Sequence, residues 1–416
     1  MAVIEGAKTG IFRPLAHPNF ALIWTGRTVS SLGNGIYTVV LAWTAYQLTR
    51  SAAFMAFVLI ANDVPQIALL LIGGVIGDRY SKRSVILSSD SLACAATAAL
   101  CISAAMGKLF PAELIAGSFF LGVATAFLIP AYSAINPELV APDELAAANG
   151  LRNSGNSLAK MAGPAVGGLA YAIGGAALGF GLDAASFGVA IATMWFTRLP
   201  RIPAAFEGTV LNEISEGWRL IWRQSWVRSL IIISLVANTF CIAPLFVLLP
   251  LIVRNAHFSA SFLGIALALQ SAVAAASAIV VGRLGDKIMH TRGLYGISAA
   301  MGAGACLIGL VPGQRLTILI GIMFVGAGFS FSTIEDTLIQ RHVPKEFLSR
   351  VYGLGTVAAY SLLPVGYAVA GYLARLAGAG QTLATGGALL FLASVTQVMA
   401  GRRIASDRPR ELQLVS

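Results

Sequence analysis

"GGVIGDRYSKR", residues 73–83, and "GRLGDKIMHTRG", residues 282–293, are two charged islands in an otherwise apolar chain. Gly74, Gly77, Asp78 and Arg79 of the first match Gly282, Gly285, Asp286 and Lys287 of the second, each 208 residues further on in a chain of 416. A second pair follows at an offset of 202, "VAPDEL" (140–145) with "HVPKEF" (342–347), and Pro164 pairs with Pro364. Repeats of this length are too long for solenoid units and fit two copies of one helical bundle.

The surroundings of the islands say what kind of bundle. Hydrophobic residues make up 57% of the chain and charged ones only 11%, against about 25% charged in a soluble domain. Apolar runs of about 20 residues, enough to cross the hydrocarbon of a bilayer, recur throughout. In lipid the backbone must bond to itself, so these runs are helices. Twelve spans are predicted, near 20–48, 52–77, 84–106, 112–136, 152–173, 178–198, 229–252, 259–282, 293–311, 316–338, 351–373 and 382–399. The expectation is an all-α integral membrane protein of two pseudo-symmetric six-helix bundles, 1–198 and 229–400. Between them lies a cytoplasmic linker, 199–228, and after them a cytoplasmic tail, 401–416. In the linker, "NEISEGWRLIWRQSWVR" (212–228) places Trp218, Ile221, Trp222 and Trp226 near helical spacing, as in a helix lying on the inner membrane surface.

A net charge of +10 invites a nucleic-acid reading until its distribution is seen. Of 28 Lys and Arg, 21 fall on one face of the predicted topology and five on the other (Arg50, Lys108, Arg254, Arg315, Arg375); Arg27 and Lys160 lie within spans. The positive-inside rule then puts both termini in the cytoplasm of a cell whose inner membrane the chain crosses, and no nucleic-acid partner is needed. No cleavable signal is expected, because the first 18 residues hold Lys8, Arg13 and two prolines without a compact apolar core. Cys94, Cys101, Cys241 and Cys306 lack the short spacing of a metal site and read as small core residues. No metal or cofactor is expected, and no G-x-x-x-x-G-K-[ST] loop points to ATP.

Across essentially its full length the sequence resembles the major facilitator superfamily. The first island is similar to that superfamily's motif A, G-x-x-x-D-R-x-G-R-R/K, with Gly74, Asp78, Arg79, Lys82 and Arg83 in register and Ser81 where the motif has its second glycine. "FRPLAHPNFALIWTGRTVSSLGNGIYTVVLAW", "GVATAFLIPAYSAINPELVAPDELAAANGL", "LDAASF", "EISEGWRLIW" and "IQRHVPKEFLSRVYG" resemble the twelve-span drug exporters that include macrolide and multidrug efflux pumps and the enterobactin exporter. The resemblance implies a proton-driven exporter of amphiphilic small molecules that works alone as a monomer by rocking its two halves. Siderophore or lipid transport by the same fold, and a non-transporting receptor, are the alternatives. It also implies that Asp78 rests at the N-terminal end of span 11, near Val351, where the helix dipole favours an acid. Arg79 would then pair with Glu138, while Lys82 and Arg83 either join the gate or only fix orientation. "GPAVGG" (163–168) resembles the antiporter motif C, through Gly163, Pro164, Gly167 and Gly168.

Charges within spans are costly and mark function by default. Asp63, central in span 2, is the first candidate for a proton-carrying carboxylate, with Glu335 and Asp336 of span 10 as the others or as an ion pair of the inner gate with Arg341. Asp183, with Ser186 one turn on, reads as a local cap or packing residue. Arg27 and Lys160 either snorkel to headgroups, bind an anion or neutralise Asp63. The cavity candidates are Arg27, Asn34, Tyr37, Phe127, Tyr132, Asn238 and Gln270. Asn34 stands where many such exporters have an aspartate, and the arginine of the superfamily's motif B is absent from span 4.

Overall fold

The structure, a computed structural model, describes residues 12–133, 135, 139–141, 144–197, 225–284, 291–342, 354–355 and 357–400. At several of these, Gly74, Asp78, Arg79 and Asp336 among them, it describes the backbone alone. The described residues are helical, with no strand among them. In chain order the helices are α1 (Pro18–Thr49), α2 (Ala52–Arg79), α3 (Lys82–Ala105), α4 (Pro111–Ser133), α5 (Leu145–Phe196), α6 (Ser225–Ala237), α7 (Ala243–Asn255), α8 (Ala260–Leu284), α9 (Thr291–Leu310), α10 (Arg315–Gly328), α11 (Phe331–His342), α12 (Leu363–Ala377) and α13 (Ala379–Ala400). Ten segments among the described residues are long and apolar enough to cross a membrane. The chain divides into two compact units, Met1–Ala205 with Phe258–Ala268, and Phe206–His257 with Leu269–Ser416.

Two of the predicted spans are joined in α5, whose 52 residues run through one interruption at Gly174 and Gly175. Gly175 has φ 62° and ψ −155°, a region that a Cβ forbids. The register against α1 shows what the turn does. Along the first arm, Gly155 meets Thr28, Gly163 meets Gly35, and the Tyr171 hydroxyl donates to Gln47 Oε1 at 2.8 Å, so the numbers rise together. Along the second arm Gly26 meets Ala190, Gly33 meets Asp183 and Gly179 meets Val40, so they run in opposite senses. The chain therefore reverses at Gly174–Gly175, and α1 is wedged against both arms of a hairpin.

Small residues bring these helices together, as membrane packing requires when lipid is as apolar as leucine. A Cβ on Gly35 would stand 2.9 Å from Gly163 Cα, and one on Gly167 would stand 2.9 Å from Ile36 Cα. In the second unit the same device pairs α9 with α13, where Gly302 faces Gly387 and Gly309 faces Gly380.

The duplication read in the sequence also surfaces in the backbone. Arg50 (φ 51°) ends α1 and His257 (φ 59°) follows α7; Gly175 (φ 62°) ends the first arm of α5 and Gly378 (φ 87°) ends α12. These left-handed stops lie 207 and 203 residues apart, close to the offsets of the sequence repeat.

Among the described residues, three spans depart from uniform helix. Between α6 and α7, Asn238–Ile242 form a π turn, in which the Ala243 amide donates to the Asn238 carbonyl. Predicted span 10 breaks after Gly328 and resumes at Phe331. Predicted span 11 is interrupted at Ser361–Leu362 and runs on to Ala377, past the expected end at 373. Such interruptions free backbone groups and are kept where a helix must bend or bind.

Candidate functional site

Polar side chains gather at two places, one in each unit. In the first unit the centre is an ion pair that the sequence reading missed. Arg27 of α1 donates from Nη2 to Asp90 Oδ2 of α3 at 2.5 Å, and Asp90 is wholly buried. Tyr132 of α4 lies beside it: the guanidinium carbons of Arg27 and Arg152 stand 5.9 Å and 5.7 Å from its ring centre, within cation–π range. Arg27 is thus neither a snorkelling cation nor shown paired with Asp63. Asp90, eight residues past Lys82 in "SSDS", carried its own signal as an acid inside a span.

Further along the same core Asp183 is 0% exposed, and neither carboxylate oxygen has a hydrogen-bond partner. The Ser186 hydroxyl donates to the Asp183 backbone carbonyl at 2.7 Å and leaves the carboxylate alone. Asp183 is therefore no local cap. Beside it Tyr37 shares a hydrogen bond with Ser118 at 3.0 Å, and Asn62 Nδ2 donates to the Ser118 carbonyl at 3.1 Å. Tyr37 also packs on Phe180, ring centres 5.8 Å apart, so it belongs to the helix packing. Asp63, one residue from Asn62, is half-buried and has interactions of its own. Phe127 packs with Tyr132 on an apolar cluster that includes Phe20, Ile23, Ile86 and Ile135. Asn34 and Lys160 are exposed on their helices.

The charged loop is built more firmly than a topology signal requires. Ser81 caps α3: its backbone is extended (φ −63°, ψ 128°) and its hydroxyl accepts the Ser84 amide at 3.1 Å. The position needs no glycine, and a serine there satisfies an end amide that glycine would leave open. Arg83 donates from Nη2 to the Trp195 carbonyl at 2.6 Å and lies 5.7 Å over the Trp195 ring. It closes the C-terminal end of α5, where free carbonyls and the dipole favour a cation. Glu138, Gly285, Asp286, Lys287 and Val351 lie outside the described residues, as do the side chains of Asp78, Arg79 and Asp336.

Glu144, at the start of α5, accepts from Arg13 Nε at 2.6 Å and pairs with His17 Nε2 at 2.7 Å. This ties the short helix Arg13–Ala16 ahead of α1 to the start of α5. Arg13 and His17 are both about half exposed, so Glu144→Gln is expected to cost about 1 kcal/mol. Faster proteolytic cleavage ahead of α1, with little change in the unfolding temperature, is the measurement that checks it.

In the second unit a cavity of about 220 Å³ opens among α6, α9, α11 and the approach to α12. Its walls are mainly apolar, with Ile231, Met301, Phe329 and Tyr360 among them. Its polar groups are Ser234, Asn238, Ser298, Ser332 and Glu335. Ser234 Oγ lies 3.2 Å from both carboxylate oxygens of Glu335. Asn238, at the π turn, donates to the Ala359 carbonyl at 3.1 Å, which joins the widened helix to the segment before α12. Of the cavity candidates in this unit Asn238 lines the pocket, whereas Gln270 is buried against Gly326.

Apolar helices locked through glycines, with charges buried inside them and a pocket of mixed polarity among them, define a polytopic membrane transporter of the major facilitator type. The chain belongs to the family described as Transmembrane secretion effector, which it matches over residues 9–407. It is similar to Macrolide efflux protein A of Streptococcus pyogenes, 23% identical over 393 residues that cover 90% of this chain and 94% of that protein. It is also similar to the enterobactin exporter EntS of Escherichia coli O1:K1 / APEC, 26% identical over 368 residues and 86% of each chain. Among solved structures, a bacterial homologue of the human lysosomal transporter Spinster superposes with a TM-score of 0.71 at 16% identity, covering 94% of this chain and 98% of that one. That last likeness is one of fold. The family and these relatives are transporters, not enzymes.

Proposed function

We propose that this chain is a secondary exporter of amphiphilic small molecules, drugs or natural products, driven by protons entering the cell and working by alternating access in a twelve-span protein of two six-helix bundles. The observation that carries the reading is the pocket of the second unit. It is an apolar chamber with a short row of hydrogen-bonding groups and one carboxylate, Glu335, within the spans. Such a chamber suits a bulky compound with one polar end, and a carboxylate in apolar surroundings favours a cationic end over an anionic one. The twelve spans follow if α1 crosses once and the α5 hairpin twice, beside the other apolar helices. Both termini would lie in the cytoplasm and the chain in the cell membrane, working as a monomer without a cofactor. An inward proton is worth about 2.3 kcal/mol per 100 mV, which supplies the work without ATP. The siderophore reading draws on the similarity to the enterobactin exporter.

The test is uptake into inside-out proteoliposomes of the purified protein under an imposed pH gradient, with erythromycin and enterobactin as probes. Erythromycin accumulation that collapses with the gradient is expected, and Glu335→Gln should weaken it about tenfold, roughly 1.4 kcal/mol. Accumulation of enterobactin alone would move the assignment to the siderophore reading, and accumulation of neither would sink the export reading for both classes.

A further inference from the structure

The first unit holds a carboxylate that packing alone does not explain. Asp183 sits on the second arm of α5, eight residues past Gly175, hence about 12 Å along the helix from the turn. Its burial is complete, both oxygens are without a hydrogen-bond partner, and none of the described residues offers it a cation. The helices packed on it bring few groups of their own. From α1 come the backbone of Gly33, where a Cβ would stand 2.6 Å from Asp183 Oδ1, and the Tyr37 hydroxyl. From α3 comes Cys94, whose thiol donates to the neighbouring Ala184 carbonyl at 3.4 Å, with Cys101 beside Gly181. Tyr37 and Cys94 are ionisable side chains within its electrostatic reach, and both are neutral in their ordinary state. Arg27 and Asp90, the charges of these two helices inside the core, are bonded to each other.

A carboxylate in this setting has two states of very different cost. Ionised, it stands in low-dielectric surroundings with neither oxygen bonded, a loss of several kcal/mol. Holding a proton, it is a small neutral acid that fits against glycine and cysteine. A purely structural position gains nothing from an acid that makes no bond, since asparagine or leucine would fill the space without that cost. Tyr37, within electrostatic reach of Asp183, is hydrogen-bonded to Ser118, whose carbonyl accepts from Asn62, so a proton leaving Asp183 meets polar groups.

On the reading that transport is proton-coupled, we infer that Asp183 is the group that binds and releases the transported proton: its carboxylate takes one proton to become the neutral acid and gives it up when the helices of the first unit shift to offer the anion a partner.

The experiment compares wild type, Asp183→Asn and Asp183→Glu in proteoliposomes, with erythromycin transport and infrared spectra as readouts. In wild type, a carbonyl-stretch band of a protonated carboxylic acid should disappear on raising the pH, and Asp183→Asn should lack it. Transport driven by a pH gradient should fall in Asp183→Asn by about 5–150-fold, the range of a typical coupling free energy between two sites. Exchange of erythromycin without a gradient should persist, which shows the variant is folded. Asp183→Glu should restore driven transport with a displaced pH dependence. Equal driven transport in Asp183→Asn and wild type, or an unchanged infrared band, would overturn the inference and leave the export reading intact. Wild-type transport indifferent to the gradient would overturn proton coupling and this assignment together.

Discussion

Arg27→Met is expected to unfold or severely destabilise the first unit, by about 3–5 kcal/mol, and Asp90→Leu to do nearly the same. The reason lies in what each leaves behind. Asp90 is wholly buried and its Oδ2 is held by Arg27, while Oδ1 has no partner of its own. Taking away the guanidinium strands an ionised acid at the level where α1, α3 and α5 meet. Taking away the acid strands a cation whose other contact is the ring of Tyr132, already shared with Arg152. The double variant Arg27→Met/Asp90→Leu removes both charges and is expected to recover most of the stability, because apolar residues of similar volume replace a buried pair at little cost. Thermal unfolding in detergent across the four proteins gives the coupling energy as a double-mutant cycle. Losses that simply add would mean the two residues do not act as a pair. A stable double variant that no longer transports would show that the pair serves the conformational cycle in addition to folding.

How much of this was legible in advance divides along a physical line. The spans were readable because lipid allows no other use for twenty apolar residues, and the turn at Gly174–Gly175 falls in the gap left between two of them. The repeat was readable in "GDR" and "GDK", and the left-handed stops at 50 and 257 follow its offset. Partners of buried charges were not readable. Arg27 and Asp90 lie 63 positions apart, and which of several acids a buried arginine meets depends on how α1 is rotated between the arms of α5. The same rotation turns Tyr37 and Tyr132 into the packing, although their aromatic, mid-span positions suited a cavity equally well. Ser81 looked like a defect because a motif records a residue type, whereas the fold requires only an end amide to be satisfied. Glu335 and Asn238 were legible as polar residues within spans, but their gathering around one pocket depends on the π turn and the break in span 10, which no apolar period announces.

The three glycines of motif C separate by the helix each one faces, and substitution should separate them too. Gly163 and Gly167 lie against α1, where a Cβ on either would come within 2.8 Å of backbone, the Gly35 Cα in one case and the Ile36 carbonyl in the other. Backbone cannot turn aside as a side chain can, so Gly163→Leu and Gly167→Leu should each cost at least the 1–3 kcal/mol of an overpacked core, roughly. Loss of the monodisperse protein in detergent is the expected readout. Gly168 faces the first turns of α8, with its carbonyl accepting from Ser261 Oγ at 3.2 Å and its Cα beside Gly264. Gly168→Ala adds a Cβ 2.7 Å from the Ala260 carbonyl, so α8 must move away from α5 while the contact of α5 with α1 is untouched. Its expected signature is a protein that stays monodisperse with altered transport. Gly188, on the second arm of the same helix, has open space where a Cβ would go, and Gly188→Ala should be neutral or stabilise by up to about 1 kcal/mol through helix propensity. A Gly163→Leu protein as stable as Gly188→Ala would remove the close approach of α1 and α5 from the account of the fold. Equal instability of Gly168→Ala and Gly163→Leu would make motif C a packing feature on both faces.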